Sequence, residues 1–94
     1  MTFGALGLVE VVGASNGVVV LDQMCKASEV YFEASYTRNG GHDTIVVSGE
    51  VSAVTAAVDS VRYNPPCEIV AAAVISGPAE ETCRVMEDWK AGKM

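Results

Sequence analysis

The six residues R-N-G-G-H-D at 38–43 separate two runs, V-Y-F-E-A-S-Y-T (30–37) and T-I-V-V-S-G (44–49), that are rich in β-branched and aromatic side chains. Asn39, Gly40 and Gly41 can supply the positive φ that a tight antiparallel connection requires, so this stretch predicts a β-hairpin. A second constraint stands at N-P-P-C-E, 64–68. Pro65 and Pro66 fix φ and remove two backbone donors, which ends the segment before them and holds the chain in a stiff corner. The apolar run C-E-I-V-A-A-A-V-I that follows predicts a strand over 67–75, with Cys67 as its first residue.

The remaining segments fill in around these two. A-L-G-L-V-E-V-V (5–12), bounded by Gly4 and Gly13, has the aliphatic content of a largely buried strand. Ser15 or Asn16 can cap a helix over about 16–28, in which Val18, Leu21, Met24 and Cys25 recur at helical spacing. The β-branched run Val18-Val19-Val20 opposes a helix, and the period is taken to prevail. E-V-S-A-V-T-A-A-V-D-S-V-R (50–62) places Val51, Val54, Val58 and Val61 on one helical stripe that the prolines terminate. After the S-G-P turn at 76–78, A-E-E-T-C-R-V-M-E-D-W-K-A-G reads as a closing helix, with acids in its first turn, Cys83, Met86 and Trp89 along one side and Gly92 as a stop. The order β-α-β-β-α-β-α predicts an α+β fold, with helices on one face of a largely antiparallel sheet.

A chain of 94 residues makes one domain, 1–94, that buries roughly 60–65% of its unfolded surface. Half of its residues are hydrophobic and 19% are charged. That leaves little polar surface to cover a monomer and favours burial between subunits. The net charge of -6 and the lack of a Lys/Arg cluster argue against a nucleic-acid partner or an anionic membrane. No stretch approaches a spanning helix, and M-T-F-G-A-L-G-L-V-E lacks the features of a secretory signal, so a cytoplasmic protein is expected. Cys25, Cys67 and Cys83 are widely spaced and odd in number, which suggests neither a disulfide framework nor a zinc site within one chain. Cys25 and Cys83 read as small core residues on apolar helical faces. With a single histidine, no paired carboxylates and no phosphate loop, nothing points to an enzyme.

Taken in order, A-L-G-L-V-E, D-Q-M-C-K-A-S-E-V, N-G-G and V-V-S-G-E-V-S-A-V resemble the shell-protein domain of bacterial microcompartments, the hexamer-forming kind (BMC domain). The likeness runs from Ala5 to Glu50 and continues through Ala53, Val54 and Ala57 to Glu68-Ile69-Val70. It implies a flat homohexamer that tiles laterally with other shell proteins around encapsulated enzymes, with small metabolites passing through a central pore. By position, the pore loop is Asn39-Gly40-Gly41, flanked by Arg38 and His42, and the hexamer-edge lysine is Lys26. Two departures stand out. Ser76-Gly77-Pro78-Ala79 replaces the family's P-R-P-H, so Gly77 stands where an edge arginine is common. Cys67 stands where the family commonly has glycine.

Some divergent shell proteins, including ones from glycyl-radical propanediol compartments, hold an iron-sulfur cluster in the pore through cysteine, and this chain is similar to that branch in its divergence and in Cys67. Six copies of Cys67 near an axis would provide more than the four sulfurs of a 4Fe-4S cluster shared between subunits. Two other readings stay open at this point: a shell hexamer with an empty pore, and a small-ligand regulatory module of ferredoxin-like fold, the latter on fold analogy alone.

Overall fold

The computed structural model describes residues 4–37 and 40–92. Four strands, β1 (Ala5–Val12), β2 (Tyr31–Thr37), β3 (His42–Gly49) and β4 (Ile69–Ser76), form one sheet in the order β2-β3-β1-β4, with every neighbouring pair antiparallel. Three helices, α1 (Ala14–Ala27), α2 (Val51–Tyr63) and α3 (Glu80–Lys90), complete the predicted order β-α-β-β-α-β-α. The molecule is flat, 32 × 31 × 17 Å.

Strand alternation sorts the core into two layers. Ala5, Val9 and Val11 of β1, with Ile45 and Val47 of β3, face α1 and α2 and pack on Val20, Met24, Val54, Ala57, Val58 and Val61. Gly7 belongs to this face: a Cβ there would lie 2.8 Å from Val58 Cγ2, so the missing side chain lets α2 approach the sheet. Leu6 and Val46 face the other way and pack with Ala34 and Met86. The expectation of helices on one face is therefore corrected, because α3 lies on the face opposite α1 and α2. The cause is visible in the alternation: α1 and α2 already occupy one side, and Leu6, Ala34 and Val46 need a cover that only Cys83, Met86 and Trp89 remain to give.

The stripe of α2 is close to the one expected, whereas that of α1 keeps Met24 and the partly buried Leu21 of the expected set and loses Val18 and Cys25 to solvent. In α2, Val54, Val58 and Val61 are buried, together with Ala57, while Val51 is exposed. In α1 the stripe is Gly17, Val20 and Met24, and Val18 points to solvent. Cys25 is a second correction: it is exposed rather than part of the core. One step of 100° beyond Met24 carries it off the buried stripe. Cys83 is buried, as expected. α1 begins at Ala14, ahead of Ser15 and Asn16, and Asn16 Nδ2 instead donates back to Val12 O at 2.8 Å.

Candidate functional site

The register places four segments at one end of the sheet. Val12 at the end of β1 pairs with His42 at the start of β3, Thr37 at the end of β2 pairs with Asp43, and Ile69 at the start of β4 pairs with Val11. The hairpin glycines and the corner carrying Cys67 therefore flank the same end of β1. The S-G-P turn lies at the opposite end, where Ser76 pairs with Ala5 and Gly77 N donates to Gly4 O at 2.9 Å. α1 starts beside the hairpin and runs back, so Lys26 in its last turn also belongs to that far end.

Gly40 and Gly41 adopt φ of 91° and 83°, the positive values expected of the hairpin, and both are exposed. Gly41 O accepts from Gly13 N at 2.6 Å, which ties the loop to the entry of α1. Arg38 and Asn39, expected to line a pore with them, lie outside the described residues.

His42 is the first residue of β3 rather than part of the turn. Its Nδ1 lies 2.5 Å from Glu10 Oε2, and the two side chains are 39% and 28% exposed. Glu10, Leu8 and Thr44 border a hollow of 220 Å³ completed by Ala71, Ala72 and Ala73, on the sheet face that carries α3. Sequence reasoning treated His42 as a hydrophilic flank and missed the pair. Its one signal was Glu10 in an otherwise apolar strand, and only the β1–β3 register brings the two together.

Cys67 sits in a bend two residues before β4, which starts at Ile69, not at residue 67 as expected. The bend follows from Pro65 and Pro66, which hold residues 65–68 out of the ladder. The corner is pinned from the side by Gln23, whose Nε2 donates at 2.9 Å to both Ser60 O and Asn64 O. Cys67 is half-buried and packs on the core beneath α1 and α2. Among the described residues no three His, Cys, Asp or Glu side chains group as a metal site. A thiol is the donor an iron-sulfur cluster takes, but one chain offers a single such group here, so a cluster at this corner requires further copies of Cys67.

At the far end, Lys26 Nζ pairs with Asp22 Oδ2 at 2.8 Å, one helical turn away, and both are exposed. The hydrogen bond and the charge of Asp22 raise the Lys26 pKa above its ordinary value. Gly77 is exposed with φ of 56° and open space around it.

The chain is thus a flat α+β unit with a glycine hairpin at one end of its sheet and a lysine-bearing helix end at the other, and its likeness to known proteins gives its class. Residues 5–78 match the BMC domain family, and the chain belongs to that family of microcompartment shell proteins. It is 37% identical over 82 residues to the carboxysome shell protein CsoS1A of Hydrogenovibrio crunogenus, covering 82% of this chain and 83% of that one. The same identity relates it to the carboxysome shell protein CsoS1 of Prochlorococcus marinus, covering 82% and 78%. A solved microcompartment protein from Desulfitobacterium hafniense shares the fold, with a TM-score of 0.75, 22% identity and coverage of 93% of this chain. The chain spans 47% of that structure's length. Among the described residues no helix is long and apolar enough to cross a membrane.

Proposed function

We propose that six copies of this chain form a cyclic tile of a microcompartment shell, with the hairpin end at the axis and the Lys26–Gly77 end at the rim. The observation that carries this reading is the segregation of the two residue sets: Gly40, Gly41 and His42 at one end of the sheet, Lys26 and Gly77 at the other. In such a ring the glycine hairpins narrow the central opening to bare backbone, which selects small metabolites by size and by the N–H groups it presents. The rim meets other shell proteins, and the closed layer surrounds encapsulated enzymes. The role is structural and selective, not catalytic. Native mass spectrometry tests the assembly: six times the 9.8 kDa chain mass is expected, and a stable monomer or dimer overturns it.

Cys67 gives the tile a second proposed role, as ligand to a 4Fe-4S cluster shared between subunits. Its position supports this, since the corner that holds it flanks the same end of β1 as the hairpin, and its backbone is already restrained by two prolines and by Gln23. When bound, the cluster supplies one-electron chemistry at the pore. The chain's own part is to present one half-buried thiol per copy at a rigid corner. A hexamer has more such sulfurs than a cluster takes, so the cluster content stays well below one per chain. Protein made anaerobically with iron and sulfide is expected to be brown. Cys67→Ser abolishes the colour and keeps the hexamer, whereas Cys25→Ala leaves both unchanged. A Cys67→Ser protein that binds iron as the parent does removes this second role and leaves the shell tile standing.

A further inference from the structure

We infer that the hollow bordered by Glu29, Tyr31 and Glu50 receives Lys26 of an adjoining tile, so that two tiles exchange lysines across their shared edge. The inference rests on the tile reading and adds to it the group that Lys26 meets.

The hollow belongs to the rim end of the sheet. Glu29 follows the end of α1, Tyr31 opens β2 opposite Ser48, and Glu50 stands between the last residue of β3 and the first of α2. Gly49 pairs with Ala5, which also pairs with Ser76, so all three lie at the Gly77 end. Ser28 Oγ donates to Ala53 O at 2.5 Å and joins the exit of α1 to the first turn of α2, which fixes the walls. Between these walls lies a hollow of 380 Å³ lined by Glu29, Tyr31, Gly49, Glu50 and Ala53.

Its lining suits an ammonium group. Glu29 and Glu50 bring two carboxylates, and the Tyr31 ring is 58% exposed beside them. Tyr31 Oη donates to Glu29 Oε1 at 3.3 Å, so the ring and that carboxylate are held together, and an aromatic face also attracts a cation. Among the described residues neither carboxylate pairs with a cation of its own chain. Arg62 is engaged by Asp59, Arg84 by Glu80 and Glu81, and Lys90 by Glu33. Lys26 stands at the same end, yet its side chain turns back along α1 to Asp22, the direction that side chains of a helix take. The hollow of its own chain lies the other way, past the last turn. A lysine arriving from a second copy meets no such limit.

Symmetry doubles the contact. Two identical tiles that meet edge to edge about a two-fold axis form an isologous joint, in which Lys26 of each copy reaches the hollow of the other. Lys26 and Asp22 are 77% and 62% exposed, and a pair so placed contributes little, so the lysine loses little by changing partner. Reciprocal contacts repeated along every edge of a tile turn a weak pair into a firm joint.

A charge swap between two populations of tiles tests this. Parent tiles are expected to form sheets that sediment from dilute buffer and disperse as salt is raised. Lys26→Glu tiles and Glu29→Lys/Glu50→Lys tiles are each expected to stay apart, and a mixture of the two to regain sheets. Both variants keep a net negative charge, starting from -6 in the parent, so overall attraction does not explain regained sheets. Glu29→Gln/Glu50→Gln removes the carboxylates with little change of shape and is also expected to lose the sheets. Parent tiles that do not associate, Gln tiles that sediment as the parent does, or a mixture that stays apart while both variants are hexamers each overturns the inference. Native mass separates the two readings: hexamers that ignore the swap sink this contact alone, and a chain that is not a hexamer sinks the tile.

Discussion

Tyr36 and Trp89 stack with ring centroids 5.0 Å apart and planes 13° from parallel, and this contact fastens α3 to the strand at the sheet's edge. Met86 anchors the same helix over Leu6, Ala34 and Val46. The indole Nε1 is buried without an acceptor among the described residues, so the ring acts here through its faces and area. Two variants separate these contributions. Trp89→Ala removes the stack and much of the helix's cover, and is expected to cost about 2 kcal/mol in urea unfolding followed by circular dichroism. Trp89→Phe keeps a stacked ring and removes the unpaired donor, so it is expected to cost less than half as much.

Element order was legible in the sequence because each segment carried a local signal: the alternation and turn chemistry of 30–49, the prolines after α2, and the valine stripe of α2. The face chosen by α3 was not legible. Its own period showed an apolar side of Cys83, Met86 and Trp89, but the need of Leu6, Ala34 and Val46 for a cover exists only once three strands are paired. For the same reason Glu10 and His42, 32 residues apart in sequence, could not be joined without the β1–β3 register. Cys25 failed for a different cause. A cysteine adjacent to a buried Met24 fits a hydrophobic count, yet a single residue of offset carries it to the exposed side.

Gly7 tests how tightly α2 is seated. A Cβ at this position would meet Val58 Cγ2 at 2.8 Å, Val54 Cγ1 at 3.0 Å and Val47 Cγ2 at 3.1 Å, three branched side chains in a filled core. These groups have little room to turn, because branching at Cβ restricts χ1. Gly7→Ala is expected to destabilise the chain by about 1–3 kcal/mol, despite its usual advantage in strand entropy. Alanine tolerated at no cost in a thermal melt would show that α2 can shift away from the sheet.

Lys90 links the same α3 to the sheet through charge. Its Nζ donates to Glu33 Oε1 at 2.9 Å, while Ser48 Oγ donates to Glu33 Oε2 at 2.5 Å, so one carboxylate joins α3, β2 and β3. The hydrogen bond and charge of Glu33, with a smaller contribution from the charge of Glu87, raise the Lys90 pKa above 10.5 against a small opposing effect of burial. A raised pKa means that the folded chain holds this proton more tightly than the unfolded one. The stabilisation is therefore fully present below pH 10.5 and is lost as pH climbs through the higher folded value. The stability difference between the parent and Lys90→Met, read from urea midpoints, is expected to be constant from neutral pH to about pH 10 and to shrink above it. A difference that persists unchanged into stronger base would assign the effect of Lys90 to packing of its stem.

The rim prediction turns on Gly77 and Lys26. Lys26 is held by Asp22 on an exposed helix end, so Lys26→Ala is expected to leave the melting temperature of the tile nearly unchanged. Its effect should fall on contacts between tiles, seen by electron microscopy as smaller or absent sheets. Gly77 acts differently, because its backbone as well as its missing side chain departs from a plain edge position. At φ of 56° any L-residue other than glycine is strained, by roughly 1–2 kcal/mol. The space around Gly77 is open, so an arginine there meets no obstacle beyond that backbone cost. Gly77→Arg is thus expected to lower stability modestly and, if the rim reading holds, to enlarge the sheets by restoring a charged side chain between neighbouring tiles. Sheets that are no larger in Gly77→Arg, in a protein that still melts cooperatively as a hexamer, would remove this turn from the rim.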